Sequence, residues 1–329
     1  MPHQHPSSAI LHPTRRTFLA LAAAAAIDAV TLPVPLHATP TPASTPAPTT
    51  ALDPDWTTPL PPFRIAGNIH YVGSRDLASY LITTPRGHIL INTNIPTSPT
   101  QIRASIEKLG FTLPQVKVLL ISHAHSDHCG GSAEILKLSG AKYMVMDGDV
   151  PVVESGGKQD FQYGNRPEML YPPAKVERTL HDGDQVQLGG VILTARKTAG
   201  HTKGCTTWTM SIEEAGKPLN VVFVGGPNVN PGYNLIHDPK YPQMAADYAQ
   251  GFAILKSLPC DVFLGAHGQF FNLLPKIARK HAGDPAAFFD PSGYRNYIAN
   301  RQLAFETELA RQQKGAQHPN PSEPESLSN

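Results

Sequence analysis

Residues 116–131 read VKVLLISHAHSDHCGG. Val116 to Ile121 is a short, nearly unbroken apolar run, the pattern of a strand covered on both faces. It stops at Ser122, and His123, His125, Asp127 and His128 follow at once. His123 and His125 alternate as the strand ends, so both rings project to one side. Asp127 and His128 come next on a turn, which aims them at a second point nearby. Imidazole and carboxylate are the donor set of a borderline cation such as zinc. Three histidines and an aspartate closing an apolar strand therefore point to a metal centre. The glycine pair and the helical stretch Ala133–Leu138 that follow make this the strand-then-helix step of an α/β protein.

Outward from that step the alternation continues. Ile69–Val72, Ser79–Ile82 and His88–Ile91 read as strands separated by turn residues, and Gln101–Leu109 as a helix with Ile102, Ile106 and Leu109 on one face. Lys142–Met146 is a strand. In the second half, Gln185–Leu188, Val191–Ala195, Thr206–Ile212, Val221–Val224 and Val262–Leu264 are strands, while Ala245–Leu258, Leu274–Ala282 and Asn296–Gln313 are helices. Strands followed by helices, twice over, predict two sheets packed face to face with helices outside. Two more histidines sit beside glycine at strand ends: His201 in Ala199-Gly200-His201-Thr202 and His267 in Gly265-Ala266-His267-Gly268. Either one alone reads as readily as a turn histidine. Together with the first motif they raise the potential ligands to six.

The 329 residues carry 27 Lys+Arg against 26 Asp+Glu, which removes any global argument for a nucleic-acid or anionic-membrane partner. With 40% hydrophobic and 16% charged residues, a folded enzyme is expected rather than a solvated tail. Of the 33 prolines, 13 fall within the first 62 residues, so part of the excess marks a linker. Thr14 to Val30 reads TRRTFLALAAAAAIDAV, in which Arg15 and Arg16 precede an apolar run from Phe18 to Ile27. That run is too short for a stable membrane anchor, and the stretch resembles a twin-arginine export signal. The expected organisation is a signal peptide over 1–38, a Pro/Thr-rich tether over 39–62, the folded domain over 63–313 and a disordered tail over 314–329. Export would hand the precursor to the twin-arginine machinery and leave a periplasmic or secreted monomer without a membrane anchor.

With these motifs in place the chain resembles the metallo-β-lactamase superfamily, and within it the subclass B3 metallo-β-lactamases. The stretches that carry the likeness are SHAHSDHCGG, ESGGKQDFQYG, LHDGDQVQLGG, AGHTKGCTTW, NPGYNL and LPCDVFLGAHGQFF, spread over about Trp56 to Arg311. The resemblance implies the α/β, four-layer αβ/βα sandwich of that fold, two mixed sheets with helices on the outer faces. It implies two zinc ions per chain, one held by His123, His125 and His201 and the other by Asp127, His128 and His267. It also implies hydrolysis of the amide bond of β-lactam antibiotics (penicillins, cephalosporins, carbapenems) by a zinc-bound hydroxide, with Asp127 orienting the nucleophile. Tyr233 would stabilise the developing oxyanion, the alternative being ordinary packing at its turn. Several family members hold the substrate carboxylate with serines just ahead of the Pro-Gly-Tyr turn. Here Asn228, Val229 and Asn230 stand there, so Asn228, Asn230 and Tyr233 are the substrate-binding candidates. Trp56 and Gln159 are further candidates for the pocket edge, with loop solvation the favoured reading for Gln159.

Related lactonases and thioesterases carry a metal-bridging Asp where this chain reads Phe223-Val224-Gly225-Gly226-Pro227-Asn228, and its absence favours the lactamase branch. The alternatives are a dinuclear hydrolase of another ester, lactone or thioester, and a non-catalytic periplasmic zinc-binding protein. A structural zinc site closes its coordination with four protein ligands, whereas three per metal leave positions open. The three cysteines cannot all pair within one chain. Relatives often bridge a cysteine at the place of Cys260, but the stretch Ser292-Gly293-Tyr294-Arg295 offers no partner. Cys129 and Cys205 flank the histidines; free thiols that pack like small apolar groups are the expected state, with a disulfide between them or a cysteine metal ligand as the alternatives.

Overall fold

The computed structural model describes residues 53–317. The expected export signal, most of the tether and the end of the tail lie outside the described residues. The tether gives way to structure earlier than position 63: α1 (Pro54–Thr57) is capped by the Asp53 carboxylate, which accepts the Asp55 N–H at 2.9 Å. At the other end helix continues through residues 314–317, past the expected start of the tail.

Seven strands form the first sheet in sequence order: β1 (Phe63–Ala66), β2 (Ile69–Tyr71), β3 (Tyr80–Thr84), β4 (Gly87–Ile91), β5 (Val116–Leu120), β6 (Lys142–Met146) and β7 (Arg178–Leu180). Pairing is antiparallel from β1 to β4 and parallel from β4 to β7. The second sheet runs β12 (Val262–Gly265), β11 (Lys217–Val224), β10 (Thr206–Glu214), β9 (Val191–Lys197) and β8 (Gln185–Leu188), parallel only between β11 and β12. Two mixed sheets with helices form the expected α/β architecture.

The apolar runs explain the layering. On β3, β4 and β5, Tyr80, Ile82, Ile89, Ile91, Val118 and Leu120 belong to the core that also takes in the second sheet. Their alternate neighbours Leu81, Leu90 and Leu119 pack instead with Ile102 and Ile106 of α2 (Pro99–Lys108) and Ile135 of α4 (Ser132–Ser139). A strand buried on both faces must be apolar at consecutive positions, and these are. On the second sheet, Phe263 of β12 shares the core with Phe252 of α6 (Met244–Ser257) and Ile298 of α8 (Pro291–Gln317). The remaining helices are short: α3 (Ser126–Cys129), α5 (Val150–Glu154) and α7 (Leu273–His281).

Buried hydrogen bonds lock the ends of the two sheets together. Trp208 Nε1 on β10 donates to the Ile121 carbonyl at 2.9 Å, and the Thr206 N–H to Ser122 at 2.7 Å. Tyr80 on β3 donates its hydroxyl to Gly265 at 2.6 Å, and the Ala78 N–H to Ala266 at 3.0 Å. The motif after β5 and the turn after β12 are thereby fixed against each other.

Candidate metal centre

Each functional side chain hangs from one of these locked ends. Asn92, left-handed at φ 65°, accepts the Ser122 N–H at 2.8 Å and so sets the departure of the chain from β5. His125 caps α3, and its carbonyl takes the N–H groups of His128 and Cys129 at 3.0 Å each. The turn expected at Asp127 and His128 is thus one turn of helix. His201 sits on the β9–β10 loop, and His267 follows β12 directly.

The donor atoms of His123, His125 and His201 lie within 4.8 Å of one another, and so do those of His123, Asp127 and His128. His123 belongs to both groups, so the two adjoin. His267 completes the second: its Nε2 is 3.4 Å from Asp127 Oδ2, and His128 Nε2 is 3.2 Å from the same oxygen. All six expected ligands are therefore gathered in one place. Both ring nitrogens of His123 and of His128, and Nε2 of His125, are buried with no hydrogen-bond partner. Buried polar atoms ordinarily have one. Unsatisfied imidazole lone pairs facing one another fit a cation at this point, and the donor set suits zinc.

The electrostatics divide the ligands: burial would lower His125, yet Asp160 lifts it above its ordinary value. Burial, reinforced by the neighbouring imidazoles, holds His123 well below its ordinary value and His201 down to about 3, so both are neutral donors. Burial alone would raise Asp127, but His128 and His267 hold it well below the usual carboxylate range. Burial would lower His267, yet hydrogen bonds to Asp127 and Asp76 lift it to about 9. That proton has to leave when a cation arrives.

Two supporting residues, Asp76 and Asp149, and one supporting role, that of the Asn228 carbonyl, are not apparent from sequence. Asp76 accepts His267 Nδ1–H at 2.8 Å, which turns Nε2 towards Asp127. The Asn228 carbonyl does the same for His201, accepting Nδ1–H at 2.7 Å. Asp149, fully buried, accepts the Ala124 N–H, the Gly204 N–H and the Thr202 hydroxyl at 2.8 Å each and ties the first motif to the His201 loop.

The centre floors a cavity of about 540 Å³ whose walls include Trp56, Tyr163, Asn228, Asn230, Tyr297 and Arg301. Trp56, Asn228 and Asn230 stand where the sequence put them, at the pocket. Gln159 does not: it is exposed, outside the lining, with its N–H on Ser155. Tyr233 is a second correction. It is 3% exposed and its hydroxyl is donated to the His201 carbonyl at 2.8 Å, so it holds the His201 loop from behind and has no proton to offer an oxyanion. The phenol on the cavity wall beside His125 is Tyr163, whose oxygen accepts from Asn230 Nδ2 at 2.9 Å. Gly226 touches the centre: a Cβ there would lie 3.1 Å from both His123 Cε1 and His201 Cδ2. The stretch Phe223–Asn228 thus meets the centre through a glycine and carries no carboxylate. Cys129, Cys205 and Cys260 are all free thiols. Tyr294, in the stretch without a partner for Cys260, is buried and donates to Leu255.

Two packed mixed sheets with paired histidine-rich cation sites at their joined ends are the architecture of a class of metal-dependent hydrolases. The family model described as the metallo-beta-lactamase superfamily matches residues 75–213. Among solved structures, the FEZ-1 metallo-β-lactamase from Legionella gormanii is 50% identical with a TM-score of 0.78, over 78% of this chain and 98% of that one. BJP-1, a subclass B3 metallo-β-lactamase of Bradyrhizobium japonicum, is 35% identical with a TM-score of 0.75, over 80% and 98%. A curated metal-dependent hydrolase of Anaeromyxobacter dehalogenans is 28% identical over 209 residues, 61% of this chain and 65% of the relative. The chain thus spans just under two thirds of that curated relative. It belongs to the metallo-β-lactamase superfamily of metal-dependent hydrolases, with subclass B3 enzymes among its structural neighbours.

Proposed function

We propose that the protein is a zinc-dependent β-lactamase that opens the amide bond of penicillins, cephalosporins and carbapenems. The observation that carries the reading is the pair of adjoining three-donor groups, His123/His125/His201 and Asp127/His128/His267, on the floor of a cavity. Three donors per metal leave room for water and substrate. Zinc bound there would lower the pKa of water and polarise the lactam carbonyl. The chain's own residues do the rest. Asp127 stays ionised and accepts a hydrogen bond from the attacking water, turning its lone pair to the carbonyl carbon. Asp76 and the Asn228 carbonyl keep His267 and His201 in the tautomer that presents Nε2. Tyr163, beside His125 and with its oxygen engaged by Asn230, is a wall donor for charge developing on the substrate. In the net reaction a C–O bond forms, the C–N bond breaks, and a proton from water ends on the former ring nitrogen.

Gly226 favours this over lactone or thioester hydrolysis, because no carboxylate bridges the two groups. Arg15-Arg16 and the short apolar run that follows support export of the protein to the periplasm. Among the described residues no helix is long and apolar enough to cross a membrane. The test is hydrolysis of a chromogenic cephalosporin and a carbapenem by the purified protein, with added zinc and with EDTA. Zinc-dependent turnover of both, lost on chelation, is expected. No turnover with two zincs bound overturns the reading and directs attention to lactones and thioesters.

A further inference from the structure

One wall of the cavity holds donors that nothing in the fold uses. Arg301, on the inner side of α8, lines the cavity, and its Nε is buried without a hydrogen-bond partner. One turn earlier Tyr297 lines the same wall, and its hydroxyl is likewise buried and unpartnered. The Arg301 guanidinium lies 5.8 Å from the centroid of the Tyr297 ring, so the two form one patch. Among the described residues Arg301 makes no ion pair. The two carboxylates that follow it on its helix are already committed, Glu306 to Gln302 Nε2 at 2.7 Å and Glu308 to Arg311 and to Gln312 Nε2 at 2.7 Å. Among the described residues Arg301 is also the one permanently charged cation lining the cavity. Arginine buried at its Nε without an acceptor is costly, and a planar fork of donors matches a carboxylate.

Resting on the lactamase reading, we propose that Arg301, with the Tyr297 hydroxyl, seats the carboxylate of the anionic substrate while its reactive carbonyl lies over the metal centre. Arg301 is then a specificity-determining residue: it selects an acid at one end of the cavity, and the imidazole cluster acts at the other. The seat is partly open, since Arg301 also faces an adjoining hollow of about 390 Å³ beside Asn228–Gly232. An extended anionic substituent has room there.

The test compares benzylpenicillin with its methyl ester on the zinc-loaded protein. For Arg301→Ala the KM for the acid is expected to rise about tenfold or more, with kcat within about threefold and the ester unchanged. Tyr297→Phe shifts the acid in the same direction by less, and Arg301→Lys restores part of the preference. Loss of acid and ester alike, or an unchanged acid preference, overturns the assignment. If the wild-type protein hydrolyses neither, the lactamase reading fails by itself. Quenching of Trp56 fluorescence by the same pair then decides the seat: acid preference abolished in Arg301→Ala supports it, and no acid preference in the wild type overturns it.

Discussion

His123, His125, Asp127 and His128 are legible because a strand end and one turn place them locally, with no long-range packing required. Asp76 is not legible: it meets His267 across 191 positions, and an aspartate between Arg75 and Leu77 looks like any turn residue. Its effect can be isolated. Asp76→Asn keeps an oxygen that can accept Nδ1–H of His267 but removes the negative charge that raises the ring's basicity. Such outer partners are worth about 10–100-fold in metal affinity. Competition against a chromophoric chelator should show one zinc weakened by about that factor and the other unaffected. Equal affinities in wild type and variant would mean that hydrogen bonding alone, without charge, orients His267.

Among the elements, β4, β5 and β6 are plain in the sequence because burial on both faces leaves almost nothing but apolar residues. The strands that escape notice are β1 and β7, the edges of the first sheet. Edge strands need only one apolar face, and Arg64 and Arg178 break the pattern. Helix α8 begins at Pro291, earlier than Asn296, since proline is tolerated in a first turn. The β9–β10 loop is set by a glycine whose reason is invisible until the fold closes. Gly200 has φ 130°, and a Cβ there would lie 2.5 Å from the Tyr248 ring. Tyr248 donates its hydroxyl to the Asn228 carbonyl at 2.6 Å, the same oxygen that His201 uses. Gly200→Ala should therefore push Tyr248, Asn228 and His201 together, costing about 2–4 kcal/mol. Urea denaturation of the metal-free protein measures the cost, and zinc stoichiometry at limiting metal should fall. Gly283→Ala is the control: its φ is 87° but nothing lies within 4 Å, so only the backbone penalty of about 1 kcal/mol applies. Equal losses in the two variants would show that contact with Tyr248 is immaterial.

The fold draws together groups from Asp76 to Arg301, and so concentrates buried titratable groups at one end of the sheets. Stability of the metal-free protein should carry that signature. His201 titrates near 3 in the fold, with burial the leading cause, and His123 is also held well below its ordinary value. Both take up a proton near pH 6.5 when unfolded. Below 6.5 the unfolded chain binds the extra protons, so each group removes about 1.4 kcal/mol per pH unit until its folded value is reached. Asp149 opposes one of them: burial pushes it up to about 6, so between 6 and 3.8 the fold binds the extra proton. On the alkaline side, hydrogen bonds to Asp127 and Asp76 outweigh burial and lift His267 to about 9. Its stabilisation is full below 6.5 and is lost as pH rises through 9. Metal-free stability should therefore peak near pH 6.5 and decline on both sides. With zinc bound, the imidazoles can no longer bind protons, His267 is held deprotonated, and the alkaline decline disappears. Melting temperatures of the EDTA-stripped and zinc-loaded proteins from pH 4 to 9 check this directly. A metal-free profile that keeps rising above pH 7 would mean that His267 is not held protonated between Asp76 and Asp127.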